Sequence, residues 1–399
     1  MIRHLFTLIW NRRRANALLM VGIALAFVVL FAVSSMGGVL WSYYRQPLGF
    51  TYTEAWQLNF TAGPQPKAEQ LAVLERIMAW LRAAPQIKGA ALTASNTPFS
   101  FNDSRRSLDF TDPRDSTKHS LNNVNVYTVG PELRAVMGLE LVAGRWFEPA
   151  DAVRGARPPV VIDERLQRTM YPDGRSAVGS IVRGGDEQER VVGVVRAFRS
   201  DGELQEPLAA IFSPIFPTDT SFLAQSVLLR VQAGQGAALE KQIAENVRRI
   251  SPNWSVSIRT LQEMHDSQFK QLLTRPLLLG SMSLFMLLNV ALGLFGVLWY
   301  NISQRRGEVG LRRALGATAG DIGRQLLGET LVITTFGLGL GLVVAVQFPL
   351  LGLLNVQTSV YLAAMLLATL LMYALTALCA LYPSQIAAGI RPAVALREE

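Results

Sequence analysis

The chain has 399 residues, is 50% hydrophobic, and carries a formal charge of +8 with a pI near 9.9. A basic balance of this kind suits either nucleic acid or an anionic membrane surface. The apolar residues exclude nucleic acid, because they are gathered into long uncharged blocks rather than spread along the chain.

Ala15 to Tyr44, Pro276 to Gln304 and Thr330 to Ile390 contain no Asp, Glu, Lys or Arg. A helix needs roughly 20 apolar residues to cross a bilayer, so the blocks hold one, one and two spans. The third divides at Pro349–Ser359, where Pro349, Gly352, Asn355, Gln357 and Thr358 favour a turn. Spans are therefore expected near Ala17–Trp41, Leu277–Tyr300, Leu331–Phe348 and Val360–Tyr382. The first has an apolar run longer than the roughly 7–15 residues of a signal-peptide core, and is expected to be an uncleaved anchor. Arginines cluster before the first span (Arg3, Arg12, Arg13, Arg14), between the second and third (Arg305, Arg306, Arg312, Arg313, Arg324) and in the tail (Arg391, Arg397). The positive-inside rule puts these three flanks in the cytoplasm and the segment between spans one and two outside.

In chain order, the first 14 residues suit an amphipathic surface helix, with Phe6, Ile9 and Trp10 at the interface, or a simple topological charge cluster. "SSMGG" at Ser34–Gly38 is either a packing face or a thinning of the helix near its end. After Arg45 the composition becomes that of a mixed soluble domain. Ala55–Thr61 reads as a strand, and Lys67–Ala84 as a helix with Leu71, Leu74, Ile77, Met78 and Leu81 on one face. Ile87–Ala94 reads as a strand, Asn96–Asn123 as a polar hairpin-rich stretch, Leu121–Val129 as a strand, and Pro131 opens a short helix. Met137–Asp151 gives turn, strand and turn. Strands follow at Pro159–Ile162 and Val191–Phe198, with a helix at Glu164–Met170 between them. Ala224–Val231, Gly236–Ile250 and Trp254–Arg259 close the domain as strand, helix and strand, an α+β order. Leu261–Thr274 is a helix running into the second span, where Pro276 is a candidate kink.

Chemistry-bearing motifs are scarce. His4, His119 and His265 are scattered and stand at no ligand spacing from another His or from the single cysteine, Cys379, which falls in the fourth span. There is no nucleophile elbow and no P-loop. The runs Asp109, Asp112, Asp115 and Asp186, Glu187, Glu189 lie in hydrophilic turns and read as solvated. No ionisable residue falls inside a span, which disfavours an ion- or proton-coupled carrier. The membrane helices offer packing instead: Gly337 and Gly341 end a G-x-x-x-G.

The stretch Ser303–Asp321 stands out. Glu308 and Arg312 have the acid-first i, i+4 spacing, and Gly316–Ala317 interrupts the helix. "TAGD" (Thr318–Asp321) then fits a capping box before "IGRQLL". A basic loop that only fixes topology accounts for the composition equally well.

The motifs favour more than that. Asn301–Glu329 resembles the loop after the second span in MacB/FtsX-type ABC transporter permeases. Glu308, Gly310, Arg312, Ala314, Gly316, Ala317, Asp321 and Ile322 occupy the family's positions. Tyr382-Pro383, Ala387-Ala388, Pro392, Ala395 and Leu396-Arg397 resemble its closing segment. "MGLELVAGRWFEPAD", "VVIDERLQRTMYP" and "VVGVVRAFR" resemble its periplasmic core. The departures are Gln385 and Ile386, where family tails are more basic, and the lack of the nucleotide-binding domain fused in MacB itself. The resemblance implies a non-catalytic permease that binds no cofactor of its own. ATP and magnesium sit on a separate ABC-type ATPase subunit, and a second permease, identical or different, completes eight spans. The implied coupling residues are Glu308, Arg312, Ala314, Gly316, Ala317, Asp321 and Ile322, through which ATP-driven closure is passed to the external domain (mechanotransmission).

The fold expected is a polytopic α-helical membrane protein with four transmembrane helices and a large extracytoplasmic α+β domain inserted between helices 1 and 2. On this reading the chain divides into a cytoplasmic N-terminal amphipathic segment (1–16), span one (17–44), the extracytoplasmic domain with its stalk (45–275), span two (276–302) and a cytoplasmic coupling loop (303–329). Span three (330–349), a short external loop (350–359), span four (360–382) and a cytoplasmic tail (383–399) follow. The bilayer is the bacterial inner membrane, a periplasmic adaptor is left open, and no nucleic acid is expected. The role is export or extraction of a substrate. The alternative is an FtsX-like regulator of an extracytoplasmic cell-wall enzyme, and a ligand receptor without an ATPase is a third reading.

Overall fold

The structure, a computed structural model, describes residues 13–112, 117–152, 157–185, 187–216, 226–304, 311, 315–352 and 357–388. The chain divides into two units: Tyr43–Leu272, and a helical unit made of the segments on either side of it.

In the helical unit, α1 spans Arg13–Tyr44, α6 Leu261–Gln304, α7 Ala319–Ala345, a single turn α8 Gln347–Leu350, and α9 Thr358–Ala388. Four of these helices are long and apolar enough to cross a membrane. Inside a bilayer every backbone N–H and C=O must be paired within the segment, which is why these blocks are helices. The helix expected at Leu261–Thr274 and the second span form one helix, with Pro276 inside it. The fourth begins at Thr358 and runs past Pro383 to Ala388, where a tail was expected. The turn expected at Pro349–Ser359 starts with helical α8.

The helices meet over a dry core in which Ile23, Phe27 and Phe31 of α1 lie against Ile333 and Leu338 of α7 and Tyr361, Ala364 and Ala368 of α9. Two glycines set the spacing. A Cβ on Gly337 would stand 2.7 Å from Ile23 Cγ2, and one on Gly341 2.6 Å from Phe27 Cδ1, whereas Gly339 between them meets nothing within 4 Å. Only hydrogen fits at the two contact positions, the close approach that small-xxx-small spacing permits. Gly38 does the same against Val360, where a Cβ would lie 2.8 Å from Cγ1, so one end of "SSMGG" is a packing contact. Between α7 and α9 the fully buried Thr334 and Thr376 hydroxyls lie 3.0 Å apart, and each is also within reach of a carbonyl one turn back in its own helix, so one hydroxyl donates across the pair and the other to its own carbonyl.

The other unit is built on an 11-stranded sheet. Its strands are β1 Ala55–Thr61, β2 Ile87–Thr93, β3 Arg105–Thr111, β4 Lys118–Val129, β5 Leu141–Gly144, β6 Pro159–Asp163, β7 Ile181–Gly184, β8 Glu187–Val195, β9 Ala210–Pro214, β10 Ser226–Val231 and β11 Ser255–Thr260. The helices are α2 Lys67–Ala83, α3 Leu133–Met137, α4 Glu164–Met170 and α5 Ala237–Ile250.

Two regions result. An open sheet ordered β11-β1-β10-β2 buries Trp56, Leu58 and Phe60 of β1 against α2 and α5, alternate residues facing one side as the pleat requires. The buried stripe of α2 holds Leu74, Ile77, Met78 and Leu81 as expected, but Val73 joins it and Leu71 is only half-buried. Beyond β2 the pairings β4-β3-β7-β8-β6-β9 return to β4 through a parallel β4–β9 contact, closing a ring without free edges. Leu108, Phe110, Val160, Ile162, Val182, Val194 and Ile211 cluster there with Leu166 and Met170 of α4. The strand expected at Val191–Phe198 starts earlier and stops at Val195, while β3, β7 and β9 were not foreseen as separate strands. Glu189, read as solvated, is buried on β8 with Arg106 of β3 as its ion-pair partner, and Asp112 pairs with Arg175 at 2.8 Å.

Asp163 caps α4 by accepting the Leu166 amide at 2.8 Å, and burial pushes its pKa up to about 7 from an ordinary 3.8. A raised folded pKa means that stability is complete below about pH 4 and is lost as pH rises through 7. Asp163→Asn keeps the capping oxygen and deletes the charge. The variant's melting temperature should match the parent's near pH 4 and exceed it at pH 8, by an effect on the order of a few kcal/mol. Equal pH profiles for both proteins would contradict this assignment. In the helical unit, Gly341→Leu should destabilise by about 1–3 kcal/mol and Gly339→Leu should leave the detergent melting curve unchanged. Equal effects from the two would remove the glycine contact.

Candidate functional site

The charged stretch between α6 and α7 is described only in part. Glu308, Arg312 and Ala314 lie outside the described residues. What is described is a break between two helical pieces. The Leu315 amide donates to the Leu311 carbonyl at 3.0 Å, closing a helical turn. Gly316 then adopts φ +100°, a left-handed conformation that glycine tolerates and that commonly ends helices.

Two residues later Thr318 starts α7 with a reciprocal capping box. The Thr318 amide donates to Asp321 Oδ2 at 3.0 Å and the Asp321 amide to Thr318 Oγ1 at 3.3 Å. The "TAGD" pattern therefore marks a helix start, and Ala317 is the half-buried connector. Ile322, on the first turn, is 6% exposed. Leu311 and Leu315, four residues apart, are 52% and 80% exposed. The site residues thus separate: Gly316, Ala317 and Asp321 build the elbow, Ile322 anchors it inward, and Gly337 and Gly341 lie further along α7 against α1.

In the sheet-bearing unit the residues with unusual environments are ones that sequence inspection passed over. The buried Arg199 donates from Nη1 to the carbonyls of Tyr43 and Gln46, both at 2.8 Å. From Nη2 it donates to those of Gly202, Glu203 and Gln205 at 3.1–3.2 Å. Burial pulls its pKa down. His265, dismissed as isolated, stacks on Tyr52 at 4.8 Å, meets Phe99 edge-on at 5.0 Å, and its Nε2 lies 3.0 Å from a Glu203 oxygen. His119 stacks on Phe110 at 5.1 Å. Among the described residues no group of three or more His, Cys, Asp or Glu is placed to hold a metal. No sequence signal could have found the Arg199 cluster, because its partners are main-chain carbonyls.

Beside this cluster, between the open sheet and the first turns of α6, lies a concavity of about 420 Å³. Gln57, Asn59, Ser226 and Arg259 of the sheet, Phe99, Phe101 and Asn102 of the loop after β2, and Met264 and Ser267 of α6 line it.

Comparison with known proteins agrees with this division. The family model described as MacB-like periplasmic core domain matches residues 16–249, and that described as FtsX-like permease C-terminal matches 280–392. A macrolide export ATP-binding/permease protein MacB of Bradyrhizobium diazoefficiens is 29% identical over 287 residues, 69% of this chain and 44% of that protein. The MacB of Rhodopseudomonas palustris strain HaA2 is 28% identical over 247 residues, 60% of this chain and 37% of its own length. The chain thus spans about two fifths of these relatives. The crystal structure of the periplasmic region of MacB from Actinobacillus actinomycetemcomitans aligns with 57% of this chain and 97% of its own at 16% identity and TM-score 0.38. Four apolar helices with a β-rich, periplasmic-type domain between the first and second make this a multi-pass membrane protein with an extracellular domain, and the chain belongs to the MacB/FtsX-like family of ABC transporter permeases.

Proposed function

We propose that the chain is the membrane subunit of an ATP-driven export or extraction machine in the bacterial inner membrane, with both termini cytoplasmic and residues 45–275 outside. ATP and magnesium are bound and turned over on a separate ABC-type ATPase that docks on the elbow around Gly316. A second permease, the same or different, completes the membrane assembly. The work of nucleotide closure is passed through the helices to the external domain, and this chain performs no chemistry of its own.

The observation that carries the reading is the elbow. A charged stretch set between uncharged helices ends in a left-handed glycine and a fully formed capping box, with two exposed leucines at its edge. A loop that only fixed orientation would need positive charge and no defined turn. Capped helix ends are stiff, so a push on the Leu311–Leu315 turn is delivered to the first turn of α7 rather than lost in fraying. Exposed leucines flanked by arginines also suit a partner surface that covers the apolar pair and meets the charges at its rim. The absence of ionisable side chains within the spans supports an energy source outside the bilayer.

The test is co-purification. The tagged full chain, extracted from native membranes, should bring down a P-loop ATPase in stoichiometric amount, and Glu308→Lys combined with Arg312→Glu should abolish it while the melting temperature holds. An ATPase that still co-purifies with the double variant would overturn the docking assignment. Capture of a cell-wall hydrolase by the external domain, with no ATP-dependent release of a ligand, would replace export by regulation.

A further inference from the structure

The concavity beside the open sheet combines a polar floor with an aromatic wall. Strand pairing explains its polar floor. On β1 the residues between Trp56, Leu58 and Phe60 point away from the helix-covered face, and Gln57 and Asn59 stand opposite Arg259 and Ser257 of β11. Asn59 also stands opposite Ser226 of β10, whose hydroxyl donates to Asn59 Oδ1 at 2.6 Å. Gln57 is 3% exposed, and its amide nitrogen donates to Asn59 Oδ1 at 3.0 Å and to Thr97 Oγ1 at 2.6 Å. No donor among the described residues reaches Gln57 Oε1, which stays open to solvent on the floor of the concavity. Arg259 makes no ion pair or side-chain hydrogen bond among the described residues.

The apolar wall is equally unusual. Phe99 has φ +60°, a left-handed conformation costly for a bulky side chain and held in place by its amide bond to the Ser200 carbonyl at 2.8 Å. Phe101, two residues on, is 64% exposed at the rim. Buried Met264 completes this side. At about 420 Å³ the space lies in the range of small-molecule sites.

An unpaired cation, an open amide acceptor and an aromatic wall point to one ligand chemistry. We propose that this concavity binds an apolar-substituted amino acid or short peptide through its free carboxylate. The carboxylate meets Arg259, an N–H of the ligand donates to Gln57 Oε1, and the apolar substituent lies against Phe99, Phe101 and Met264. The inference deepens the export reading by naming the class of molecule that the external domain meets, and it rests on that reading only for the direction of transport.

The experiment is a fluorescence titration of the full chain in phosphatidylcholine nanodiscs with dansylglycine, which carries an aromatic body, an N–H and a carboxylate, and with its neutral amide, dansylglycinamide. Empty nanodiscs provide the blank. Dansylglycine should bind saturably and about tenfold more tightly than the amide, the difference a charge-assisted contact makes. Arg259→Gln, at an exposed position, should remove that preference, and Phe101→Ala should weaken both ligands. No saturable signal above the blank, equal binding of the two probes, or an Arg259→Gln variant with unchanged preference would overturn the site. The Glu308→Lys, Arg312→Glu variant should bind dansylglycine like the parent, so a failure of ATPase docking and a failure of this site are read separately.

Discussion

A single buried guanidinium organises the part of the sheet-bearing unit where the chain enters it. Arg199 satisfies carbonyls at Tyr43 and Gln46, around the C-terminal end of α1, and three more in the loop that follows β8. Helix C-termini leave carbonyls unpaired and carry partial negative charge, so a cation is favoured there. Arginine suits the place better than lysine: its planar fork offers five donors in fixed directions, and here four N–H-bearing positions of the two terminal nitrogens serve five acceptors. The cost is desolvation without a carboxylate partner, visible in the lowered pKa and in an Nε that finds no acceptor. Removing the side chain would orphan the carbonyls of two chain segments at once, and for that reason the loop from Ser200 to Gln205 depends on it.

That loop is also where the start of α6 is tied down. Glu203 gives its carbonyl to Arg199 and its carboxylate to His265, and His265 is sandwiched by Tyr52 and bordered by Phe99. The segment after α1 and the first turns of α6 therefore share one polar cluster rather than two separate attachments. Neighbouring aromatics continue the contact: Phe50 meets Phe198 at 5.1 Å, Tyr127 meets Phe198 at 4.8 Å, and the Tyr127 hydroxyl bonds to Ser200. Burial is the main reason the Tyr127 pKa rises far above its ordinary value, so this hydroxyl stays protonated at any physiological pH.

The sequence was most informative where one physical requirement dominates. Hydrocarbon excludes charge, so uncharged blocks gave the spans, and local hydrogen bonding made "TAGD" readable as a helix start. It was least informative where partners are far apart in the chain. Glu189 looked like part of a solvated run because its partner, Arg106, is 83 residues away. The ring closes through a parallel β4–β9 pairing that leaves no local mark, and β7 and β9 are too short for alternation to be distinctive. The fourth span was expected to end at Tyr382, yet α9 runs on through Pro383. At the candidate elbow, Gly316 and Asp321 were legible from turn and capping chemistry. Arg199, His265 and Gln57 were not, since their roles come from carbonyls, ring faces and an empty space that only the folded chain assembles.

The concavity proposed to hold a ligand draws part of its wall from the start of α6. Met264 and Ser267 line the concavity, and His265 between them is held by Glu203, so all three sit within the first two turns of a 44-residue helix. At 1.5 Å per residue that helix is roughly 66 Å long, about twice the hydrocarbon thickness a span must cover. Backbone hydrogen bonds along a helix resist compression and bending far better than a loop does. Pro276 lies inside α6 and removes one of these bonds. A ligand that fills the space beside Met264 changes which positions of the α6 start are favourable by its own differential contacts and by no more than that. Met264 and Ser267 flank His265, whose ring is held by the Glu203 carboxylate.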